Sequence, residues 1–141
     1  MVRVKIKKLS PDAKLLTYAH EGDAGLDIYS VEDAEILPNE RKAIKTGISS
    51  ELPSGYAFFV WDKSGLAAEF GIKTMAGVID SGYRGEIRIV LLNTSQKPYK
   101  IRKGEKIAQV ILLKVEAAEI KESKELNNTE RGEGGFGSTG K

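Results

Sequence analysis

The sequence contains no cysteine and only one histidine, His20. Disulfide bonds, thiolate metal sites and a cysteine nucleophile are therefore excluded, and so is a zinc site built on two histidines. The first ten residues, MVRVKIKKLS, include no apolar run long enough for a signal peptide or a membrane span. We therefore expect a cytoplasmic location without membrane association.

An excess of charge of one sign is also lacking. The chain carries 22 Lys and Arg side chains against 20 Asp and Glu, for a formal net charge of +2. Charges balanced this evenly do not favour a nucleic-acid-binding surface, and we expect no stable nucleic-acid binding. The length of 141 residues is enough for one domain with its own hydrophobic core.

Short strand-like stretches separated by turn signals recur along the chain. Residues 1–8 alternate apolar and charged side chains, which predicts a half-buried strand. Further strands are predicted at residues 26–29, 34–37, 42–48, 56–61, 86–92 and 106–115. Turn sequences such as PN, PSG, DSG and KGE separate them. This spacing indicates an all-β sandwich, jelly roll or barrel over residues 1–115.

The stretch SGLAAEFG breaks the strand pattern. It contains good helix formers, with Ser64 at the N-cap position and Gly71 where a helix would end, so a short helix is predicted. Residues 116–130 are polar and charged, which predicts a linker or a surface segment. A glycine-rich arm, residues 131–141, follows.

The stretch GVIDSGYRGEI, residues 77–87, favours a β-hairpin. Asp is a common turn residue, and taken alone this is the favoured role of Asp80. The functional alternative makes Asp80 a general base at the lip of a pocket.

Three other stretches each allow a structural and a functional interpretation. In DKSGLAAEFGI, a helix start preceded by Lys63 suits a phosphate, or is an ordinary capped helix with a solvated lysine. In GDAGLDIYS, a carboxylate of the pair Asp23 and Asp27 could hold a water of a hydrated Mg²⁺, or the stretch is a turn entering a strand. In RKGEKIAQVIL, Gln109 either faces outward or contacts a ligand.

The arm RGEGGFGSTGK carries the parts of a phosphate clamp in Arg131, Ser138 and Thr139, and Phe136 could stack on a planar base. Its partial match to the G-x-x-x-x-G-K phosphate loop is rejected, because that loop needs a preceding strand and a following helix. We predict a mobile lid that becomes ordered when a nucleotide binds.

Together and in this order, five stretches resemble the five motifs of the trimeric dUTP pyrophosphatase (dUTPase) family: GDAGLDIYS, KSGLAAEFG, GVIDSGYRGEI, GEKIAQVIL and RGEGGFGSTG. The resemblance implies a jelly-roll (β-clip) subunit and a homotrimer whose active sites are shared between subunits. It also implies Mg²⁺-dependent hydrolysis of dUTP to dUMP and pyrophosphate. That reaction keeps uracil out of DNA and supplies dUMP for thymidylate synthesis.

The resemblance further implies a role for each motif. Asp80 would activate the water that attacks the α-phosphorus in line, Asp27 would hold a water of the metal shell, and Tyr83 would pack beneath the deoxyribose. The other substrate-binding residues would be the uracil-reading backbone of Gly77, Val78 and Ile79, the phosphate contacts Lys63, Ser64, Gly65 and Gln109, and the arm residues Arg131, Phe136, Gly137 and Ser138.

Three positions depart from the family pattern. The family usually has Arg where this chain has Lys63 and Asp where it has Gly82, and it often has Asn where this chain has Thr74. A glycine before the aromatic residue also occurs in the dCTP deaminases, some of them bifunctional, which share the fold. Those enzymes carry a proton-shuttling Glu at the position of Val90 and lack a close equivalent of the arm. A non-catalytic nucleotide-binding β-domain and a generic jelly-roll scaffold are the further alternatives.

Overall fold

Eleven short strands and one helix make up the regular structure of the protein in this computed structural model, which describes residues 1–140. Lys141, the last residue of the predicted arm, lies outside the described residues. The elements are β1 (Lys5–Lys8), β2 (Leu26–Tyr29), β3 (Ala34–Ile36), β4 (Arg41–Lys45), β5 (Ile48–Glu51), β6 (Tyr56–Trp61), α1 (Ser64–Phe70), β7 (Ile72–Met75), β8 (Val78–Asp80), β9 (Arg88–Asn93), β10 (Tyr99–Ile101) and β11 (Lys106–Lys114). The predicted all-β fold with one short helix is confirmed.

The strands form four antiparallel sheets. The largest has the order β2-β11-β6-β8, a second has the order β4-β9-β7, and two pairs, β1-β5 and β10-β3, complete the set. Within residues 1–140, every strand pairs with one that is not its neighbour in sequence. The chain therefore crosses repeatedly between sheets, as in jelly-roll folds.

The core lies between these sheets and consists mainly of isoleucine. Alternation along β9 shows how it forms, since Ile89 and Leu91 are buried while Arg88 is exposed. Each such side chain contributes about 1.5–3 kcal/mol when it leaves water. The most buried large apolar residues are Phe58, Ile28, Ile36, Ile44, Ile48, Ile87, Ile89, Leu91, Ile107 and Val110.

Several strand predictions need correction. The single strand predicted at 42–48 is divided at Gly47, whose φ of 67° turns the chain from β4 into β5, a member of another sheet. Strands β7, β8 and β10 were not predicted. The predicted hairpin at 77–87 is wrong, because β8 pairs with β6 while β9 pairs with β4 and β7.

The helix begins one residue earlier than predicted. Lys63, with φ −85° and ψ 127°, occupies the N-cap without a side-chain cap, and Ser64 is the first helical residue. Gly71 ends the helix as predicted, in the left-handed conformation with φ 65°. This helix has seven residues, and no helix among residues 1–140 is long and apolar enough to cross a membrane.

Residues 115–140 contain neither helix nor strand. The amide of Val115 donates to the carbonyl of Gly55, 2.8 Å away. Beyond that point, the hydrogen bonds and ion pairs of residues 117–140 stay within this part of the chain. The body of the fold therefore reaches only to about residue 115.

Gly71→Ala tests the end of the helix, with Gly55→Ala as the matched control. Both glycines have positive φ, but only at Gly71 would a Cβ be crowded, 2.8 Å from Thr94 Oγ1 and 3.2 Å from Ser95 N. We expect urea unfolding at fixed protein concentration to show a loss of about 1 kcal/mol for Gly55→Ala and about 2 kcal/mol for Gly71→Ala. Equal losses would contradict the role assigned to this contact.

Candidate functional site

A buried carboxylate with two lysine partners lies at one end of the largest sheet. Asp27 on β2 is 3% exposed. The Lys63 ammonium lies 2.5 Å from its Oδ1, and the Lys106 ammonium lies 2.6 Å from its Oδ2. Burial raises the pKa of Asp27, but hydrogen bonds from Lys106 and Lys63 outweigh it and hold this pKa below its ordinary value. The carboxylate is therefore ionised at neutral pH.

Gln109 joins this group from the neighbouring strand. It pairs with Asp27 in the β11–β2 register, and its Nε2 donates to the carbonyl oxygen of Asp62 at 2.8 Å. A Cβ on Gly25 would lie 2.1 Å from Gln109 Oε1, so a larger residue there would displace the Gln109 amide from its present position. We call Asp27, Lys63, Lys106 and Gln109 the Asp27 cluster.

Three members of the Asp27 cluster, Asp27, Lys63 and Gln109, line a hollow of about 370 Å³, whose other lining residues include Asp23 and Gly25. Ser64 and Gly65 follow Lys63 directly in the first turn of α1, and both are exposed. The structure thus brings together the predicted residues of three motifs, from β2, the helix start and β11. Lys106 was missed by sequence reasoning, although it lies in the stretch that contains Gln109.

The second group of predicted residues lies on the β8 segment, which we define as residues 76–86. Positive φ values at Ala76 and Gly77, 59° and 119°, turn the chain into β8. The Gly77 carbonyl accepts a hydrogen bond from the Val60 amide at 2.8 Å. A Cβ on Gly77 would lie 2.9 Å from the Cβ of Val60, so glycine is needed for this close approach.

β8 is an edge strand, paired on one side only with β6. The N–H and C=O groups of successive strand residues alternate between the two sides, so only alternate residues of β8 present theirs at its free edge, where they can hydrogen-bond a flat polar ligand. A hollow of about 230 Å³ lies here, lined in part by Gly77, Val78, Ile79, Asp80, Tyr83 and Val90. Apart from Asp80 and Tyr83, the titratable residue that lines this hollow is Arg88.

Asp80 ends β8 with an exposed side chain, and its carbonyl accepts a hydrogen bond from the Tyr83 amide at 3.1 Å. The Tyr83 hydroxyl donates to the Glu86 carbonyl at 3.0 Å, and its ring crosses Gly85, where a Cβ would lie 2.3 Å from the hydroxyl oxygen. The Arg84 guanidinium donates to the carbonyls of Ser81 and Tyr83. These bonds fix the loop between Asp80 and Tyr83.

The predicted site residues thus form three separate groups in one chain. The hollow at the Asp27 cluster and the hollow at the β8 segment share no lining residue. The arm forms a third group, in which Arg131 Nε donates to the Gly134 carbonyl and Phe136 is fully exposed. Gly137 and Ser138 are also exposed and line neither hollow.

The donor set of the Asp27 cluster fits a hydrated metal ion whose ligands are mostly not supplied by the protein. No group of three or more His, Cys, Asp or Glu side chains suited to a metal occurs within residues 1–140. Both oxygens of Asp27 already face ammonium groups. A hydrated cation could therefore reach Asp27 only through its water molecules.

Asp27→Asn tests the charge of the cluster. Because the folded pKa of Asp27 is depressed, its stabilising contribution is present above the ordinary value of 3.8 and is lost as pH falls through the lower folded value. At pH 7 we expect the variant to lose about 2 kcal/mol in urea unfolding, a buried-pair cost reduced by the partial exposure of both lysines. The difference from wild type should shrink below pH 3.8.

The matched control is Asp12→Asn, which removes an exposed ion pair with Lys103 and should change the unfolding free energy little. Equal stability of wild type and Asp27→Asn at pH 7 would contradict the account. So would a difference that grows as the pH falls.

Comparison with known proteins identifies the family. The dUTPase family model matches residues 11–140. The deoxyuridine 5'-triphosphate nucleotidohydrolase of Clostridium kluyveri is 51% identical over 137 residues, which are 96% of either chain. A mutant dUTPase of Staphylococcus bacteriophage 80alpha, solved with dUpNHpp, is 30% identical with a TM-score of 0.92 and 98% coverage of both chains.

A further structural relative concerns the metal. It is a mutant dUTPase of phage phi11 of S. aureus, whose structure reveals the coordination of a structural Mg(II) ion. It is 25% identical, with a TM-score of 0.83, over 89% of this chain and 99% of that chain. The family match covers every one of the five motifs, so the chain belongs to the dUTPase family.

Proposed function

We propose that the protein hydrolyses dUTP to dUMP and pyrophosphate, which keeps uracil out of DNA and supplies dUMP for thymidylate synthesis. Membership of the dUTPase family supports the reaction. The observation that carries it in the structure is the Asp27 cluster, where three of the five motifs meet beside an ionised carboxylate and two ammonium groups.

The β8 segment would bind the deoxyuridine. The free backbone edge of β8 would offer donors and acceptors that match the edge of uracil, and Gly77, Val78 and Ile79 line the small hollow there. Tyr83, whose ring is held over Gly85, would pack beneath the deoxyribose and leave no room for a 2′-hydroxyl. Uracil and deoxyribose would thus be selected by backbone groups and by shape.

The Asp27 cluster would bind the triphosphate. Lys63 would supply a positive charge, and the first-turn amides of Ser64 and Gly65, which follow it directly, would donate to phosphate together with the Gln109 side chain. Mg²⁺ carried by the phosphates would neutralise charge there, with Asp27 holding one of its waters. Lys106 would remain as the partner of Asp27 when Lys63 turns toward phosphate.

Asp80 would act as the general base. Its carboxylate takes a proton from a water whose oxygen forms a bond to the α-phosphorus. The opposite bond, from the α-phosphorus to the bridging oxygen, breaks, and pyrophosphate leaves with the electron pair. In-line geometry requires Asp80 and the bound phosphates to face each other across one site.

We further propose a homotrimer with shared active sites. The separation of the Asp27 cluster, the β8 segment and the arm within one chain supports this, since each group alone is an incomplete site. Residues 1–115 would form the hydrolase domain, 116–130 a linker and 131–141 a mobile arm. Phe136 would stack on uracil, while Arg131, Gly137 and Ser138 contact the terminal phosphates. We propose a cytoplasmic location and no stable partner other than further copies of the chain.

The reaction is tested by incubating the protein and Mg²⁺ separately with dUTP, dCTP, dTTP and UTP, and identifying all products. We expect only dUTP to react, giving dUMP and pyrophosphate. Deamination of dCTP would instead place the protein with the dCTP deaminases.

Asp80→Asn tests the general base in the same assay. We expect kcat for dUTP to fall by about 10³-fold while dUpNHpp still binds, because the amide cannot accept the proton. Asp33→Asn, a change at an exposed residue that lines neither hollow, serves as the control and should keep wild-type activity. Equal inactivity of wild type and Asp80→Asn, with binding retained, would favour a non-catalytic binding domain.

Removal of residues 131–141 tests the arm. We expect kcat/KM for dUTP to fall by about 100-fold, because water and the attacking geometry are no longer controlled. The melting temperature should stay unchanged, since residues 117–140 make no hydrogen bond or ion pair with residues 1–115. Phe136→Ala, which keeps the arm's length, should show a smaller loss. Full activity of the truncated protein would rule out a lid.

A further inference from the structure

We infer that Asp62 is a positioning residue that holds the strand leading to the β8 segment against the Asp27 cluster. Asp62 lies between β6 and the helix start, directly before Lys63. Its role as inferred here rests on the proposed dUTP hydrolysis. None of the five motifs includes it, and the sequence offered no signal for it.

The carboxylate of Asp62 binds β7. Its Oδ1 accepts one hydrogen bond from the Thr74 amide and one from the Thr74 hydroxyl, both at 2.6 Å. Its Oδ2 forms an ion pair with Lys73 at 2.9 Å. Thr74 is 7% exposed, so its two donors would be left buried and unsatisfied without this carboxylate. The Lys73 side chain is 56% exposed, and its ion pair matters less.

The main chain of Asp62 contacts the Asp27 cluster. Its carbonyl oxygen accepts the hydrogen bond from Gln109 Nε2, and the next residue is Lys63, a partner of Asp27. One residue therefore fixes Thr74, Gln109 and Lys63 relative to one another. β7 ends at Met75, and the chain continues through Ala76 and Gly77 into β8. A displacement of Thr74 would therefore also move the base-binding edge of β8.

This arrangement also accounts for the threonine at position 74. The Thr74 hydroxyl donates a hydrogen bond to Asp62, and the Thr74 side chain is buried. Thr74 therefore supports the strand that leads to the β8 segment. The base would then be recognised by the backbone of the β8 segment without a side-chain contact from Thr74. In a trimer with shared sites, Asp62 would also fix the distance between two neighbouring active sites, because each chain contributes the two groups to different sites.

The test compares wild type, Asp62→Ala, Asp62→Asn, Thr74→Val and the double variant Asp62→Ala/Thr74→Val. Steady-state kinetics with dUTP and Mg²⁺ gives kcat and KM, and thermal unfolding gives the folded fraction at the assay temperature. Asp12→Ala removes an exposed carboxylate of the same size and is the matched control. Wild-type hydrolysis of dUTP tests the proposed function separately from the role of Asp62.

Asp62→Ala should lower kcat/KM by about 30-fold, mostly through kcat, because the substrate contacts remain but are misaligned. Asp62→Asn should stay within about threefold of wild type, since its carbonyl oxygen still accepts both bonds from Thr74. Thr74→Val should lower kcat/KM by about fivefold. The double variant should have a kcat/KM no lower than that of Asp62→Ala, because the two changes break one shared contact.

Three results would overturn the inference while dUTP hydrolysis by wild type stands. These are wild-type kinetics for Asp62→Ala, an equal loss in Asp62→Asn and Asp62→Ala, and losses that merely follow the folded fraction.

Discussion

The candidate site depends on the ion pairs that the buried, ionised carboxylate of Asp27 forms with two lysines. An unpaired charge with 3% exposure would be costly, so two ammonium groups must approach it. Lys63 does so from the helix start and Lys106 from the beginning of β11. This requirement brings three distant segments together beside a hollow that Asp27, Lys63 and Gln109 help to line, where the proposed metal-bound triphosphate would bind. Lys63 meets Asp27 with a single ammonium point contact, whereas the arginine usual in the family would offer a planar fork of donors.

The jelly-roll topology accounts for the separation of the predicted site residues within one chain. Since strands pair with distant strands, Asp27 on β2 and the β8 segment lie at opposite edges of the largest sheet and border different hollows. The arm extends from the body after residue 115. A symmetric ring of identical subunits can bring one group from each chain to one place, and heterologous interfaces generate such rings.

The sequence predicts those parts of the molecule whose determinants are local. The bounds of β6 at 56–61 follow from a run of aromatic and branched residues, and the end of the helix follows from a glycine. The break at Gly47 was hidden within a continuous alternation, and β7 at 72–75 is too short to show a period. The contacts of Lys106 and Asp62 join residues far apart in sequence, and no spacing rule reveals them. The motif residues were recognisable only as a set.

Complementation between two inactive variants tests the shared site most directly. Asp80→Asn removes the proposed base on the β8 segment, and Lys63→Ala combined with Gln109→Ala removes the Asp27 cluster's phosphate contacts. The two proteins would be unfolded together, refolded as a mixture and assayed with dUTP, beside each variant treated alone. If sites are shared between subunits, the mixture should recover about a quarter of wild-type activity, as random assembly of ring-shaped oligomers requires. Failure to recover activity in properly assembled mixed oligomers would show that both groups must come from the same chain.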